Sequence, residues 1–135
     1  MRFYQVRIIK HLSEHKFLIL AITWTVLITV ASLISFNSVP KVKIIGNDKL
    51  VHFIFYLVFV ILWSLANKRA YFKIKYELLI VFFAIVYGII IEVLQGVLTQ
   101  TRQADIYDVI ANSLGAIIGF IGLYCMKNKF FNKFF

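Results

Sequence analysis

Residues 92–112 read EVLQGVLTQTRQADIYDVIAN. This stretch joins two strongly apolar segments through a short polar turn. It sets Glu92, Gln95, Arg102, Asp105, Asp108 and Asn112 around that turn. The flanking runs are continuous and of helix length rather than alternating, which predicts membrane-crossing helices and argues against strands. Ionisable groups this close to a membrane span are costly, so they need a partner, water or a task.

Working outward, residues 78–98 form the span before the turn and 105–126 the span after it. Residues 17–36 and 50–66 supply two more apolar runs near the roughly 20 residues that a crossing helix needs. The prediction is an all-α, polytopic membrane protein: a four-helix transmembrane bundle in one domain, 1–135. A basic, amphipathic lead-in (1–16) precedes the first span. A polar loop with Pro40 and Gly46 as breakers follows it. A basic loop over 67–77 separates the second and third spans, and a basic aromatic tail begins at Lys127. The first run is too long for a signal peptide, and more spans follow it.

Composition agrees. Hydrophobic residues make up 61% of 135 residues and the mean hydropathy is +0.86. A soluble domain is about 45–50% apolar, and a water-soluble core of this size could not hide the surplus. The formal charge of +9 flanks the apolar runs, as expected where helix ends meet anionic headgroups, so it implies no nucleic acid. Cys125 is the single cysteine, which excludes an intrachain disulfide and a cysteine-based metal site.

Lys and Arg are counted per side to predict orientation. Four lie in the N-terminal segment, four in the 67–77 loop and three in the tail, against Lys41, Lys43, Lys49 and Arg102 on the other side. The bias puts both termini in the cytoplasm of a multi-pass cell-membrane protein. The 92–112 stretch then meets the Asp48–His52 region at the outer leaflet.

Helical spacing groups these residues further. Asp105, Asp108, Asn112, Gly115, Gly119 and Gly122 step by three or four, as do Gly88, Glu92 and Gln95, and Asp48, His52 and Tyr56. Turned inward, the three stripes would build a polar pocket open to the outside, with glycines below it for close helix contact. Simpler roles compete. Asp48 and Asp105 suit helix N-termini, and for Asp105 the cap is the preferred reading. Lys49 would snorkel, Tyr56 would pack, and His52 would donate to a carbonyl. Glu92 resists such a reading. About two turns inside its span, a bare carboxylate would take up a proton or find a cation, with Arg102 the nearest in sequence and Lys49 second.

The set Asp48-Lys49-x-x-His52-x-x-x-Tyr56, Glu92-x-x-Gln95, Arg102 and Asp108-x-x-x-Asn112-x-x-Gly115 resembles the VanZ-like family of small membrane proteins. The resemblance runs from the first outer loop to the fourth span. It departs at the turn, where Thr99, Gln100 and Thr101 precede Arg102 instead of the frequent Pro-Gly pair. The resemblance implies an envelope role linked to teicoplanin-type glycopeptide susceptibility, with no defined reaction.

Two functions are carried forward. One is a binding protein that recognises an outer-leaflet lipid, a lipid-linked envelope precursor or a partner, with self-association of helices as a further contact. The other is a membrane enzyme acting on a lipid headgroup or lipid-linked cell-wall precursor. There Glu92 or Asp108 would be the base, His52 acid or base, and Arg102 with Lys49 would hold phosphate. Carboxylates would also suit a hard divalent cation, Mg²⁺ or Ca²⁺. A proton pathway is the weakest reading, because the polar residues gather at one end.

Overall fold

The computed structural model describes residues 2–34, 47–67, 69–70, 73–99 and 102–134, with side chains over 15–34, 48–67, 69–70, 73–99 and 102–127. Pro40, Gly46, Lys41, Lys43, Lys68, Gln100, Thr101 and the end of the first predicted span at Phe36 lie outside the described residues. So do the side chains of Arg2, Arg7, Lys10, Lys129 and Lys133.

Four helices account for nearly all described residues: α1 (Arg2–Leu33), α2 (Asn47–Ala66), α3 (Ile74–Leu98) and α4 (Ile106–Phe134). All four are long and apolar enough to cross a membrane, over His15–Leu33, Asp48–Ala66, Ile74–Leu98 and Ile106–Lys127. No strand occurs among the described residues. The chain is therefore an all-α, multi-pass membrane protein.

The helices run past the expected span limits. No Pro or Gly interrupts residues 2–33, so the basic lead-in continues into α1 as one helix. The basic tail likewise continues α4 to Phe134. α3 starts at Ile74, four residues before the expected 78, and so takes Glu77 out of the predicted loop and into its first turn.

α2 is the centre. It packs most extensively on α4, then on α1, and also touches α3. Ile28, Tyr56, Phe59, Val60, Val81, Ala84 and Ala116 form the buried core. The Phe59 and Tyr87 rings stack at 5.5 Å, and Tyr56 stands 6.1 Å from Phe59. Large apolar side chains such as Ile19, Val26, Phe82, Phe83, Val97 and Ile121 point outward, the reverse of a soluble domain and the arrangement lipid requires.

Polar groups inside tie α1 to its neighbours. The Trp24 indole donates to the Phe55 carbonyl at 3.0 Å. The Trp63 indole donates to Thr25 Oγ1 at 3.1 Å, and Tyr87 donates to the Thr25 carbonyl at 3.1 Å. Thr29 Oγ1 and Tyr87 OH lie 2.7 Å apart. Without water in the bilayer, such groups must pair within the protein.

The glycine stripe of α4 divides. A Cβ on Gly115 would run into the Phe53 carbonyl oxygen of α2, and one on Gly119 would stand 2.8 Å from the Leu57 carbonyl oxygen. Gly122 meets nothing within 4 Å, so the predicted packing stripe stops one step short. We expect Gly115→Ala to force α2 and α4 apart and cost about 1–3 kcal/mol or more, as over-packing does. Gly122→Ala should be neutral, or stabilise by up to about 1 kcal/mol through helix propensity. Unfolding in mixed micelles separates the two, and equal losses would contradict this packing.

Candidate functional site

The C-termini of α1 and α3 and the N-termini of α2 and α4 meet at one end of the bundle, and the polar residues gather there. α3 closes with Thr99, whose amide donates to the Gln95 carbonyl at 3.1 Å and whose hydroxyl donates to it at 2.6 Å. The chain then folds back over Gly96, where a Cβ would stand only 3.1 Å from the Ala104 Cβ and 3.2 Å from its nitrogen. This return brings Asp105 beside Glu92, and Glu92 Oε1 accepts the Asp105 amide at 2.8 Å.

Asp105 caps α4 as expected, its Oδ1 accepting the Tyr107 amide at 2.8 Å. Its other oxygen accepts from Lys49 Nζ at 2.9 Å. The same ammonium donates to Asp108 Oδ1 at 3.1 Å, so Lys49 of α2 clamps the first turn of α4. One turn along α2, His52 Nδ1 lies 3.1 Å from Asn112 Oδ1, and its Nε2 lies 3.7 Å from Asp108 Oδ2. Asp48, in the first turn of α2, faces Arg102 across 3.6 Å.

Arg102 was expected to neutralise Glu92. The structure sets it against Asp48, on the exposed rim, while Glu92 takes a backbone amide. Gln95 is buried, and its Nε2 donates to the Ser32 carbonyl of α1 at 2.8 Å, so it anchors α1. His52, Glu92, Asp108 and Asn112 do come together, all buried. Tyr56 lies beneath them: a Cβ on Gly88 would stand 3.2 Å from both the Tyr56 ring and Asn112 Nδ2. Three polar atoms here, Tyr56 OH, Glu92 Oε2 and Asn112 Nδ2, are buried with no hydrogen-bond partner among the described residues. Native proteins rarely leave such atoms unsatisfied without a ligand, a water or a functional use.

One charged pair was missed by sequence reasoning. At the opposite end of the bundle, Lys127 Nζ lies 2.9 Å from Glu77 Oε2, and Glu77 is only 3% exposed. The signal was present. Glu77, Val81, Ala84, Gly88, Glu92 and Gln95 form one buried stripe at helical spacing, so the inward face of α3 begins at Glu77.

The fold and this end of the bundle define a small polytopic membrane protein with a buried polar cluster, roofed by salt bridges, where four helix ends meet. Residues 10–128 match the family model described as VanZ/LLP1, and the chain belongs to that family. No curated protein and no solved structure matches it.

Asp105 responds to acid in a defined direction. The hydrogen bond from Lys49, and then the Tyr107 amide, hold its carboxyl below the usual carboxylate range. With a depressed value in the folded state, the unfolded chain takes up the proton first. This stabilisation is therefore full above the ordinary carboxylate range and is lost as pH falls through the folded value. We expect stability in mixed micelles to begin to fall below about pH 5 and to go on falling as pH passes down through the folded value. Asp105→Asn and Lys49→Met should each flatten part of that decline. A slope unchanged in both variants would mean that the pair does not form.

Proposed function

We propose that the protein binds the polar headgroup of an envelope lipid, or of a lipid-linked envelope precursor, at the end of the bundle where Glu92, Asp108, Asn112 and His52 meet. One observation carries this reading: three of the buried polar atoms without hydrogen-bond partners, Tyr56 OH, Glu92 Oε2 and Asn112 Nδ2, gather at this one end, beside two buried carboxyl groups and an imidazole. A purely structural network would satisfy them, because an unmade buried hydrogen bond costs about 1–3 kcal/mol. Lys49 and Arg102 stand on the rim, both more than two-fifths exposed. Exposed ion pairs are weak, so both cations can exchange a carboxylate for a phosphate at small cost. Arg offers planar paired donors and Lys a compact charge, a combination suited to an anionic headgroup.

The bias of Lys and Arg supports a cytoplasmic location for both termini, with the polar end at the outer leaflet. In a Cys125→Ser background, Gln103→Cys should label from outside intact cells and Lys73→Cys should not. The opposite pattern would move the site to the cytoplasmic leaflet. An effect on teicoplanin-type susceptibility would follow from an outer-leaflet site of this kind.

Native mass spectrometry of the protein in nanodiscs tests recognition itself. Anionic lipid should be retained over zwitterionic lipid, and Arg102→Ala should weaken that preference by about tenfold, the worth of one charge-assisted hydrogen bond. No anionic preference, with Arg102→Ala behaving as the parent, would leave the polar end as a folding device.

A second reading, chemistry on the same headgroup, is favoured by the grouping of two buried carboxyl groups, Glu92 and Asp108, with the His52 imidazole, whose Nε2 lies 3.7 Å from Asp108 Oδ2. Lipid profiles of cells with and without the protein separate the readings. A headgroup present in only one of them indicates a reaction.

A further inference from the structure

His52 bridges two acidic or amide partners, and the geometry is uneven. Its Nδ1 lies at hydrogen-bond distance, 3.1 Å, from Asn112 Oδ1. With Asn112 Oδ1 as the acceptor, the neutral ring carries its proton on Nδ1, and Nε2 is free to act as a ligand atom. The gap to Asp108 Oδ2 is 3.7 Å, too long for a hydrogen bond, which needs about 2.7–3.2 Å. Two atoms able to act as ligands thus lie 3.7 Å apart with no hydrogen bond between them.

A third donor reaches the same space. One ligand atom each from Asp48, His52 and Asp108 lie within 4.8 Å of one another. Metal-to-ligand bonds of about 2.0–2.2 Å place donors on a common ion at about 3–4 Å from each other, which matches the His52–Asp108 separation. The surroundings also fit. A metal-binding imidazole usually gives its other N–H to an oxygen acceptor that holds the ring, and Asn112 does this. Lys49 takes Asp108 Oδ1 and leaves Oδ2 to the shared space.

A further observation beside the cluster points to a ligand. Glu92, 3% exposed, interacts electrostatically with Asp108 and His52, yet its Oε2 has no hydrogen-bond partner. A cation with bound water would bring hydrogen-bonding groups to that side. Charge agrees as well: four carboxyl groups (Asp48, Glu92, Asp105, Asp108) face two permanent cations, Lys49 and Arg102.

We propose that Asp48, His52 and Asp108 form a divalent-cation site, open on its remaining coordination positions, with Asn112 as the positioning residue for His52. The nitrogen ligand favours a borderline ion of the Zn²⁺ type over Mg²⁺ and Ca²⁺, which prefer all-oxygen shells. This site goes beyond headgroup recognition and does not depend on it.

The test uses the full chain, stripped of metal with a chelator and held in zwitterionic nanodiscs, so that failure of anionic-lipid binding does not affect it. His11 and His15 are four apart in the sequence, so both are changed to Ala in every sample to keep other histidines out of the titration. Calorimetric titration with ZnCl₂ should give one ion per chain, with MgCl₂ far weaker. His52→Ala should weaken Zn²⁺ binding at least about 100-fold, and Asn112→Ala about 10–100-fold. Asp48→Asn alters an exposed ligand with little risk to folding, and should weaken binding as well. Lys49→Met removes a competing cation from Asp108 and should tighten it, an outcome that general loss of structure would not produce. Co²⁺ bound in place of Zn²⁺ should show visible absorption bands that His52→Ala alters. Absence of Zn²⁺ binding by the parent overturns the site. So does binding that Asp48→Asn and Lys49→Met leave unchanged.

Discussion

The contact between the α2 and α4 backbones is the constraint on which the rest depends. Gly115 lies against the Phe53 carbonyl and Gly119 against the Leu57 carbonyl, with no side chain between them. His52 immediately precedes Phe53, and Asn112 lies one turn before Gly115 on the side of the polar end. Two helices this close carry His52 to 3.1 Å from Asn112 and bring Lys49 to the first turn of α4. A single methyl at Gly115 would separate the helices and lengthen those distances together. The polar cluster is therefore held in place by a small-residue interface deeper in the membrane.

Polar groups inside the bundle follow two patterns. In the middle, Thr25, Thr29, Trp63 and Tyr87 engage one another or backbone carbonyls, and they lock α1 onto α2 and α3. At the polar end, buried oxygen and nitrogen atoms stay unpaired although ionisable groups crowd around them. Pairing in the first region serves assembly of the helices, whereas most of the unpaired buried atoms gather in the second.

The opposite end has its own charged lock. Glu77 and Lys127 join the start of α3 to α4 near the far membrane boundary. With Lys49 clamping Asp105 and Asp108 at the other end, α4 is pinned by an ion pair at each end and by glycine contacts between. Such a bundle resists sliding of α4, which suits a site built from precise distances between helices.

Sequence alone determined the solvent, the four crossings and the membership of most of the polar cluster. Continuous apolar runs of about 20 residues admit few other folds in lipid. Helical period then puts Asp108 with Asn112 and Asp48 with His52 on common faces, whatever the neighbours are. Period cannot choose the partner across an interface, because that depends on helix rotation and on how closely the backbones meet. Only the tertiary structure decided that Arg102 faces Asp48, that Gln95 is taken by the Ser32 carbonyl, and that Glu92 receives an amide from the turn. The Glu92 contact follows from the chain folding back over Gly96, and the Gln95 contact from the packing of α3 on α1. These short-range contacts join residues far apart in sequence, so no local pattern records them.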